Sequence, residues 1–155
     1  MKPEWQVWAK EAKEEFPRAN SALMPLLHRI QLEEGWLSDA TIADVAQLMG
    51  LPVQYVESVV SFYSLFHQQP MGKKVVHVCV GLSCALAGSD ELMHHLEQRL
   101  GIKEGQSTAD GAYTLLEAEC LAACDKAPVA QVNLRYVGPV SPDDATQLLS
   151  EEVTS

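Results

Sequence analysis

The chain contains four cysteines, and they fall into two close pairs. Four residues separate Cys79 from Cys84, three separate Cys120 from Cys124, and thirty-five lie between the two pairs. Four thiolates arranged in this way are a donor set for a [2Fe–2S] cluster or for a Zn²⁺ ion, and they can also oxidise to two disulfides. The spacing within each pair discriminates among these chemistries.

The gaps of four and three residues favour the cluster. Structural zinc sites are typically built on Cys-x2-Cys loops that wrap around one tetrahedral ion, and thioredoxin-type redox pairs also use that spacing, whereas wider gaps suit ligands to two separate irons. Residues 85–88 contain no third cysteine, which excludes a plant-type ferredoxin. A Rieske centre is disfavoured because no second histidine accompanies His77 near the cysteines. On spacing alone, zinc, disulfides and free cysteines remain as alternatives.

Composition and charge limit the possible partners. The 155 residues are 47% hydrophobic, enough for one ordinary domain or two small ones, and the net charge is −10. Residues 104–155 hold nine acidic and two basic side chains. Because such a surface repels phosphate backbones and anionic lipid, we expect no nucleic-acid binding.

The sequence gives no indication of direct membrane insertion. No run approaches the roughly 18 apolar residues of a membrane span. Residues 1–16 resemble neither a secretory signal nor a transit peptide. We therefore expect a cytoplasmic protein in a reducing compartment, where structural disulfides are rare.

The first seventy residues are predicted to form a small helical domain. Apolar side chains recur every three or four residues in four segments, namely 2–16, 20–35, 38–50 and 52–66. Asn20 or Ser21 is the predicted cap of the second helix, with Pro25 tolerated in its first turn. The apolar residues Phe62, Tyr63, Leu65 and Phe66 are expected to pack in a core between this domain and the rest of the chain.

From residue 71 the pattern changes to that of an α/β domain. Short β-branched runs bounded by turn residues predict strands over 73–80, 113–119, 127–133 and 135–140. Helices are predicted over 89–100 and after Ser141, which gives the order β-α-β-β-β-α. Residues 81–84 are predicted to be a turn. Both cysteine pairs then lie at the carboxyl ends of strands, at one edge of the sheet where ligands bind.

The segments around the cysteines carry a family resemblance. Residues 78–88 and 119–129 resemble the thioredoxin-like [2Fe–2S] ferredoxins, and more narrowly the small iron–sulfur subunit of respiratory complex I. Residues 26–36, 59–66 and 107–111 are similar to the same subunit, so the resemblance covers nearly the whole chain. It implies a thioredoxin-like ferredoxin domain over 71–155, preceded by a helical domain over 1–70 that docks a partner.

The resemblance also implies a function. The chain would be the electron-transfer subunit of an NADH:quinone oxidoreductase, with one [2Fe–2S] cluster held by Cys79, Cys84, Cys120 and Cys124. Its partner would be the large flavoprotein subunit, which carries FMN, a [4Fe–4S] cluster and the NADH site, and whose FMN exchanges single electrons with this chain. No catalytic residue is expected here, and no Gly-x-Gly-x-x-Gly or Walker loop occurs. Attachment to the inner membrane would be through the complex alone.

Two alternative functions remain at this point. The same small ferredoxin serves as the diaphorase subunit of NAD-dependent formate dehydrogenases and hydrogenases, and the cysteine pattern does not separate these settings. A zinc-stabilised interaction module is the alternative from a different class.

Three residues near the cysteines carry expectations of their own. Ala122 stands where the family commonly has glycine, and we expect a minor change in loop packing. Pro128 resembles the proline that precedes a strand in thioredoxin folds, and the sequence leaves its peptide bond open between cis and trans. We expect His77 to be a buried packing residue rather than a hydrogen-bond donor near the cluster.

Overall fold

The computed structural model describes residues 1–16 and 18–150, without the side chains of Gln147 and Ser150. The chain divides into two compact units, Met1–Pro70 and Met71–Ser155. The division falls where the hydrophobic period of the sequence changes, and each unit has a core of its own.

The first unit is built from four helices. They are α1 (Pro3–Glu15), α2 (Ala19–Glu34), α3 (Asp39–Met49) and α4 (Val53–Phe62). Their apolar faces enclose a core in which Leu23, Leu27 and Ile30 are fully buried. The Ser38 hydroxyl accepts a hydrogen bond from the Thr41 N–H and caps α3 as the sequence predicts.

Two details of α2 differ from the sequence prediction. The helix begins at Ala19, with Arg18 at the cap position and no side-chain cap, so the predicted cap at Asn20 or Ser21 is wrong. Pro25 lies inside the helix and not in its first turn. The buried apolar face of α2 explains both differences, because tertiary packing outweighs the local cost of a missing cap or a missing N–H.

The segment after α4 also departs from expectation. Phe62, Tyr63 and Leu65, which were predicted to lie in a core between the two domains, are exposed, Phe62 to 79%, and none of them belongs to the core of the helical unit. Phe66 is half-buried and packs against the core of the helical unit. Exposed aromatic side chains this close together indicate a contact surface.

Over its described residues, the second unit is a five-stranded mixed sheet with three α-helices, which confirms the predicted α/β class. Its strands are β1 (Lys74–Cys79), β2 (Gln106–Ser107), β3 (Tyr113–Ala118), β4 (Ala130–Val132) and β5 (Arg135–Val137). The order in the sheet is β2-β3-β1-β4-β5. Strands β1 and β3 are parallel, and the other neighbours are antiparallel.

The helices of this unit are α5 (Leu82–Leu86), α6 (Ser89–Leu100) and α7 (Ala145–Ser150). The unit's main core contains side chains from one sheet face together with α6 and α7, including Val76, Val78, Leu92 and Leu96. Among the described residues, no helix is long and apolar enough to cross a membrane.

The turn predicted over residues 81–84 is wrong, because α5 begins there. Leu82, Ala85 and Leu86 are good helix formers, and the Ala85 N–H donates to the Gly81 carbonyl at 2.9 Å to close the first helical turn. As a result, Cys84 lies on a helix whose position is fixed by packing and not on a free loop.

The side chain of Asn133, in the β4–β5 turn, forms hydrogen bonds with the backbone at the start of β1. Its Oδ1 accepts from the Val75 N–H at 2.8 Å and its Nδ2 donates to the Lys73 carbonyl at 2.9 Å. Because two side-chain hydrogen bonds are lost in Asn133→Ala, we expect the free energy of unfolding to fall by about 2 kcal/mol. Urea denaturation followed by circular dichroism measures this. Leu134→Ala in the same turn is the control, and equal losses in the two variants would contradict the role of the amide.

Candidate metal centre

The fold brings the two cysteine-bearing segments to one edge of the sheet. Cys79 is the last residue of β1, which pairs in parallel with β3, and Cys79 stands opposite Ala118. Cys120 follows two residues later, and Cys124 begins a 3₁₀ turn over Cys124–Lys126. The parallel pairing therefore places the two loops side by side, as the sequence predicts for carboxyl strand ends.

None of the four cysteines forms a disulfide, and they differ in exposure. Cys79 and Cys84 are buried, while Cys120 and Cys124 are exposed. The buried pair packs with Val129 in a small apolar cluster beside the main core. One pair is thus anchored in the protein interior, and the other faces outward.

Cys79 lies at the centre of the group. The thiols of Cys84 and Cys120 lie near its own thiol, and so do the N–H groups of Leu121 and Gly81. Burial acts to raise the pKa of Cys79, but these donors together act more strongly and leave the pKa below its usual value. The chain itself therefore favours the thiolate, which is the form that binds a metal.

Cys84 lies near cysteines of both pairs, namely Cys79 and Cys124. Burial raises the pKa of its thiol, the Val129 N–H opposes that effect, and the nearby charges of Cys79 and Cys124 add to it, so the net shift is upward. Negative charges on neighbouring thiolates repel one another. A metal group carrying positive charge would relieve this repulsion.

The backbone of Gly81 lies close to the segment that contains Glu119 and Cys120. A Cβ built on Gly81 would lie 3.0 Å from the Glu119 carbonyl oxygen, 3.6 Å from the Cys79 Sγ and 3.8 Å from the Cys120 Cβ. A side chain at this position would therefore crowd the Glu119 carbonyl and touch both cysteine-bearing segments. Glycine keeps that space open and leaves its own N–H directed at sulfur.

The donor set fits a [2Fe–2S] cluster. Among the described residues, no group of three or more His, Cys, Asp or Glu side chains is arranged to hold a metal ion. The four cysteines, two from each loop, lie at the same end of the sheet, and the Ala122 N–H donates to the Cys120 Sγ at 3.4 Å. Four cysteine thiolates with N–H donors to sulfur are the ligand set of such clusters.

The remaining residues singled out by the sequence lie close to this centre. His77 is buried, shares a sheet face with Cys79 and stands opposite Gln131 of β4. The Ala127–Pro128 peptide bond, which the sequence left open, is cis. The Gly138–Pro139 bond is also cis, and no sequence signal indicated it.

Ala122 has a more definite role than the sequence suggested. Its φ is 55°, in the left-handed region, and its N–H lies 3.4 Å from the Cys120 Sγ. This backbone conformation costs a residue with a Cβ about 1 kcal/mol, a cost that glycine avoids. Glycine, the residue that the resemblance leads us to expect at this position, would adopt the same conformation without that cost.

We expect Ala122→Gly to raise the free energy of unfolding by about 1 kcal/mol, because it removes the left-handed strain and keeps the N–H. Thermal unfolding of the cluster-loaded protein measures the change. Ala123→Gly, at a neighbouring residue with negative φ, is the matched control and should destabilise. A loss of stability in Ala122→Gly would show that its methyl group makes a needed contact.

The comparison with known proteins defines the class. A model of the thioredoxin-like [2Fe-2S] ferredoxin family matches residues 9–152, and the chain belongs to this family. Its cofactor is accordingly a [2Fe–2S] cluster, which confirms the cofactor expected from the sequence.

Within the family, the chain is similar to subunits of NADH-quinone oxidoreductases. The chain is 41% identical over 145 residues to a subunit of the NADH-quinone oxidoreductase of Rhizobium meliloti, covering 90% of this chain and 86% of that protein. It is 46% identical over 113 residues to NADH-quinone oxidoreductase subunit 2 of Thermus thermophilus, covering 73% of this chain and 62% of the relative. The predicted resemblance to the small complex I subunit is thereby confirmed.

A solved structure shows the same fold in another enzyme. The NAD+-reducing [NiFe]-hydrogenase in its air-oxidised state aligns with a TM-score of 0.73 and 26% identity. The match covers 82% of this chain but only 22% of the hydrogenase chain, so the fold occurs there as part of a longer polypeptide.

Sequence reasoning identified the thiols but missed their surroundings. The N–H donors at Leu121 and Val129 depend on loop conformation and carry no side-chain signal. The short helix α5 could have been recognised, because Leu82 and Leu86 are spaced by one helical turn.

Proposed function

We propose that this chain is the electron-transfer subunit of an NADH:quinone oxidoreductase, in which one [2Fe–2S] cluster is held by Cys79, Cys84, Cys120 and Cys124. The observation that carries the proposal is the meeting of four cysteines, none in a disulfide, at one sheet edge, where the Ala122 N–H donates to the Cys120 Sγ at 3.4 Å. The names of the relatives, which are subunits of NADH-quinone oxidoreductases, support the physiological setting.

When bound, the cluster takes up and releases one electron at a time. The protein's part is to hold the thiols in place and to supply the electrostatic surroundings. The N–H groups of Gly81 and Leu121 offset negative charge on the Cys79 sulfur, and Val129 does the same at Cys84. Burial of this pair excludes water from one side, while the exposed Cys120 and Cys124 leave the other side open to a partner.

The proposed partner is a large flavoprotein subunit that carries FMN, a [4Fe–4S] cluster and the NADH site. Hydride chemistry would take place there, and this chain would exchange single electrons with the FMN. The complex would lie in the cytoplasm and attach to the inner membrane through other subunits.

The helical unit is proposed to dock that partner. Its exposed Phe62 and Tyr63 rings pack edge to face with centroids 5.0 Å apart. The following residues are held by Gln31, whose Nε2 donates to the Leu65 carbonyl at 2.7 Å and whose Oε1 accepts from the His67 N–H at 2.7 Å. A rigidly presented aromatic pair loses little conformational entropy on binding, which suits an interface anchor.

The same role in an NAD+-reducing hydrogenase is the second candidate. It is favoured by the structural match to that enzyme. The two settings differ in the final electron acceptor, so isolation of the complex from its source and assay with quinone or with hydrogen distinguishes them.

The primary test is anaerobic purification of the full chain with iron, zinc and acid-labile sulfide analysis, followed by EPR after dithionite reduction. About two irons and two sulfides per chain with an S = 1/2 signal are expected. Co-expression with the flavoprotein subunit should then allow NADH to elicit the same signal. Stoichiometric zinc without iron would overturn the cluster assignment, and a cluster that NADH never reduces in the complex would overturn the partner.

The docking role of the helical unit is tested by Phe62→Asp. A buried charge at an interface anchor should weaken co-purification with the flavoprotein at least about tenfold and leave the EPR signal unchanged. Leu32→Asp is the matched control, since Leu32 is also an exposed apolar residue of this unit, at 69%. Equal co-purification of both variants would exclude Phe62 from the interface.

A further inference from the structure

The four cysteines are not equally accessible from solvent. Cys120 and Cys124 are exposed, whereas Cys79 and Cys84 are buried. The buried pair packs with Val129 in the small apolar cluster. A thiol reacts with a molecule in solution only where that molecule can reach its sulfur. Any reagent that brings iron to this chain therefore meets the exposed pair before the buried pair.

The two buried cysteines are held in different ways. Cys79 is fixed in the sheet, since it pairs with Ala118 of β3 and its N–H donates to the Val129 carbonyl at 3.1 Å. Cys84 lies on α5, and among the five described residues of that helix its side chain alone is buried. A helix this short has little stability of its own, so the packing of Cys84 is what holds it. Cys84 can therefore become accessible by a local opening that leaves the sheet intact.

We propose that the reaction that supplies the cluster is thiolate exchange with a donor that carries a preassembled, thiolate-ligated [2Fe–2S] group, and that Cys120 and Cys124 react first. Cys79 and Cys84 complete the ligand set in a later step. The proposal rests on the proposed function, in which all four cysteines are ligands. It assigns the exposed pair to capture and the buried pair to retention.

The exchange balances without a redox step. For each cysteine that reacts, one iron–sulfur bond to the donor breaks and one iron–sulfur bond to the chain forms. The proton of the incoming thiol passes to the leaving donor thiolate, and the oxidation state of the iron does not change. Assembly from Fe²⁺ and sulfide would in addition require an oxidant to give the two ferric irons of the oxidised cluster.

The opposite order of reaction is less favourable. If the buried pair reacted first, its apolar surroundings would have to open before any bond to iron offset the exposure. If the exposed pair reacts first, the later exchange takes place within one molecule, at a high effective concentration. The two loops are close enough for this, because a Cβ position on Gly81 lies 3.6 Å from the Cys79 Sγ and 3.8 Å from the Cys120 Cβ.

The first arm of the test follows transfer from a glutathione-ligated [2Fe–2S] complex to the full chain, purified without oxygen from iron-limited cells. Visible circular dichroism should show a phase whose rate depends on donor concentration and a later phase whose rate does not. Cys120→Ala and Cys124→Ala should lower the bimolecular rate constant at least about tenfold. Cys79→Ala and Cys84→Ala should keep that constant within about twofold of the wild type, lose the later phase and release iron to a chelator. Ser83→Ala, at an exposed residue of α5, is the control and should retain both phases.

The second arm uses the wild-type chain and does not depend on the folding of a variant. A short pulse of iodoacetamide should alkylate the exposed pair and spare the buried pair, as read by peptide mass spectrometry. Chain modified in this way should lose the bimolecular phase. Equal alkylation of all four cysteines would show that exposure does not govern their reactivity and would overturn the proposed order.

The outcomes separate the two levels of inference. Wild-type chain that holds no iron and sulfide on purification and takes none from the donor overturns the proposed function and this proposal together. Wild-type chain that is purified with the cluster but never takes one from the donor overturns thiolate exchange alone. A bimolecular phase that is slowed equally by Cys84→Ala and Cys120→Ala overturns the order of reaction. A bimolecular phase that depends on Cys120 and Cys124 only supports the proposal.

Discussion

Replacing Cys84 with alanine is expected to abolish stable assembly of the cluster. Iron and acid-labile sulfide should fall from about two of each per chain to near zero in aerobically purified protein, and the reduced EPR signal should disappear. Metal analysis and EPR of the same preparation measure both changes.

The physical reason lies in the position of Cys84. Its thiol is buried on α5, receives the Val129 N–H and sits close to Cys79. The vacated space is apolar and enclosed by Val129 and its neighbours, so water is a poor substitute ligand there.

The matched control is Ser83→Ala on the exposed side of the same helix. It should retain full iron, sulfide and EPR intensity. A Cys84→Ala protein that kept two irons per chain with an unchanged spectrum would show that Cys84 is not a ligand.

The second large effect is expected from Gly138→Ala, which acts on the site through the fold. A Cβ at this position would lie 2.6 Å from the Lys126 carbonyl oxygen, 3.1 Å from the Lys126 Cβ and 3.2 Å from the Val129 Cγ2. Lys126 ends the 3₁₀ turn that begins at Cys124. Because backbone atoms must shift to accommodate the methyl group, we expect a loss of about 3 kcal/mol in the free energy of unfolding.

Thermal unfolding followed by circular dichroism measures the loss, and the rate of iron release to a chelator reports on the displaced Cys124 loop. Gly105→Ala is the control: its φ is 80° and an added Cβ would meet nothing within 4 Å, so only about 1 kcal/mol of backbone strain is expected. If Gly138→Ala were no more destabilised than Gly105→Ala, the close packing of Gly138 against Lys126 would be refuted.

Local sequence signals predicted the elements whose formation depends on neighbouring residues. The Ser38 cap, the β-branched run of β1 and the Ser141–Pro142 helix start each rest on interactions within a few residues. The mixed α/β class followed from the change of period near residue 71. Where local signals were weak, tertiary packing determined the secondary structure. Examples are the start of α2 at Ala19 and the helical conformation of residues 82–86.

Exposure was the property that the sequence predicted least well. Phe62 and Leu82 have the composition of core residues, yet both are largely exposed. An apolar side chain does not encode whether its partner belongs to the same chain or to another, so only the folded structure distinguishes a core from an interface.

The sequence by itself singled out the four cysteines that we propose as ligands, because the number and spacing of cysteines restrict which metal groups four thiolates can hold. Tertiary structure alone decided how those thiols are used. Parallel pairing of β1 with β3 joins two loops thirty-five residues apart, and it buries Cys79 and Cys84 while leaving Cys120 and Cys124 exposed. The N–H groups of Leu121 and Val129 belong to the backbone, so the residue types at these positions do not reveal them. They come close to the sulfur atoms only when the chain has folded.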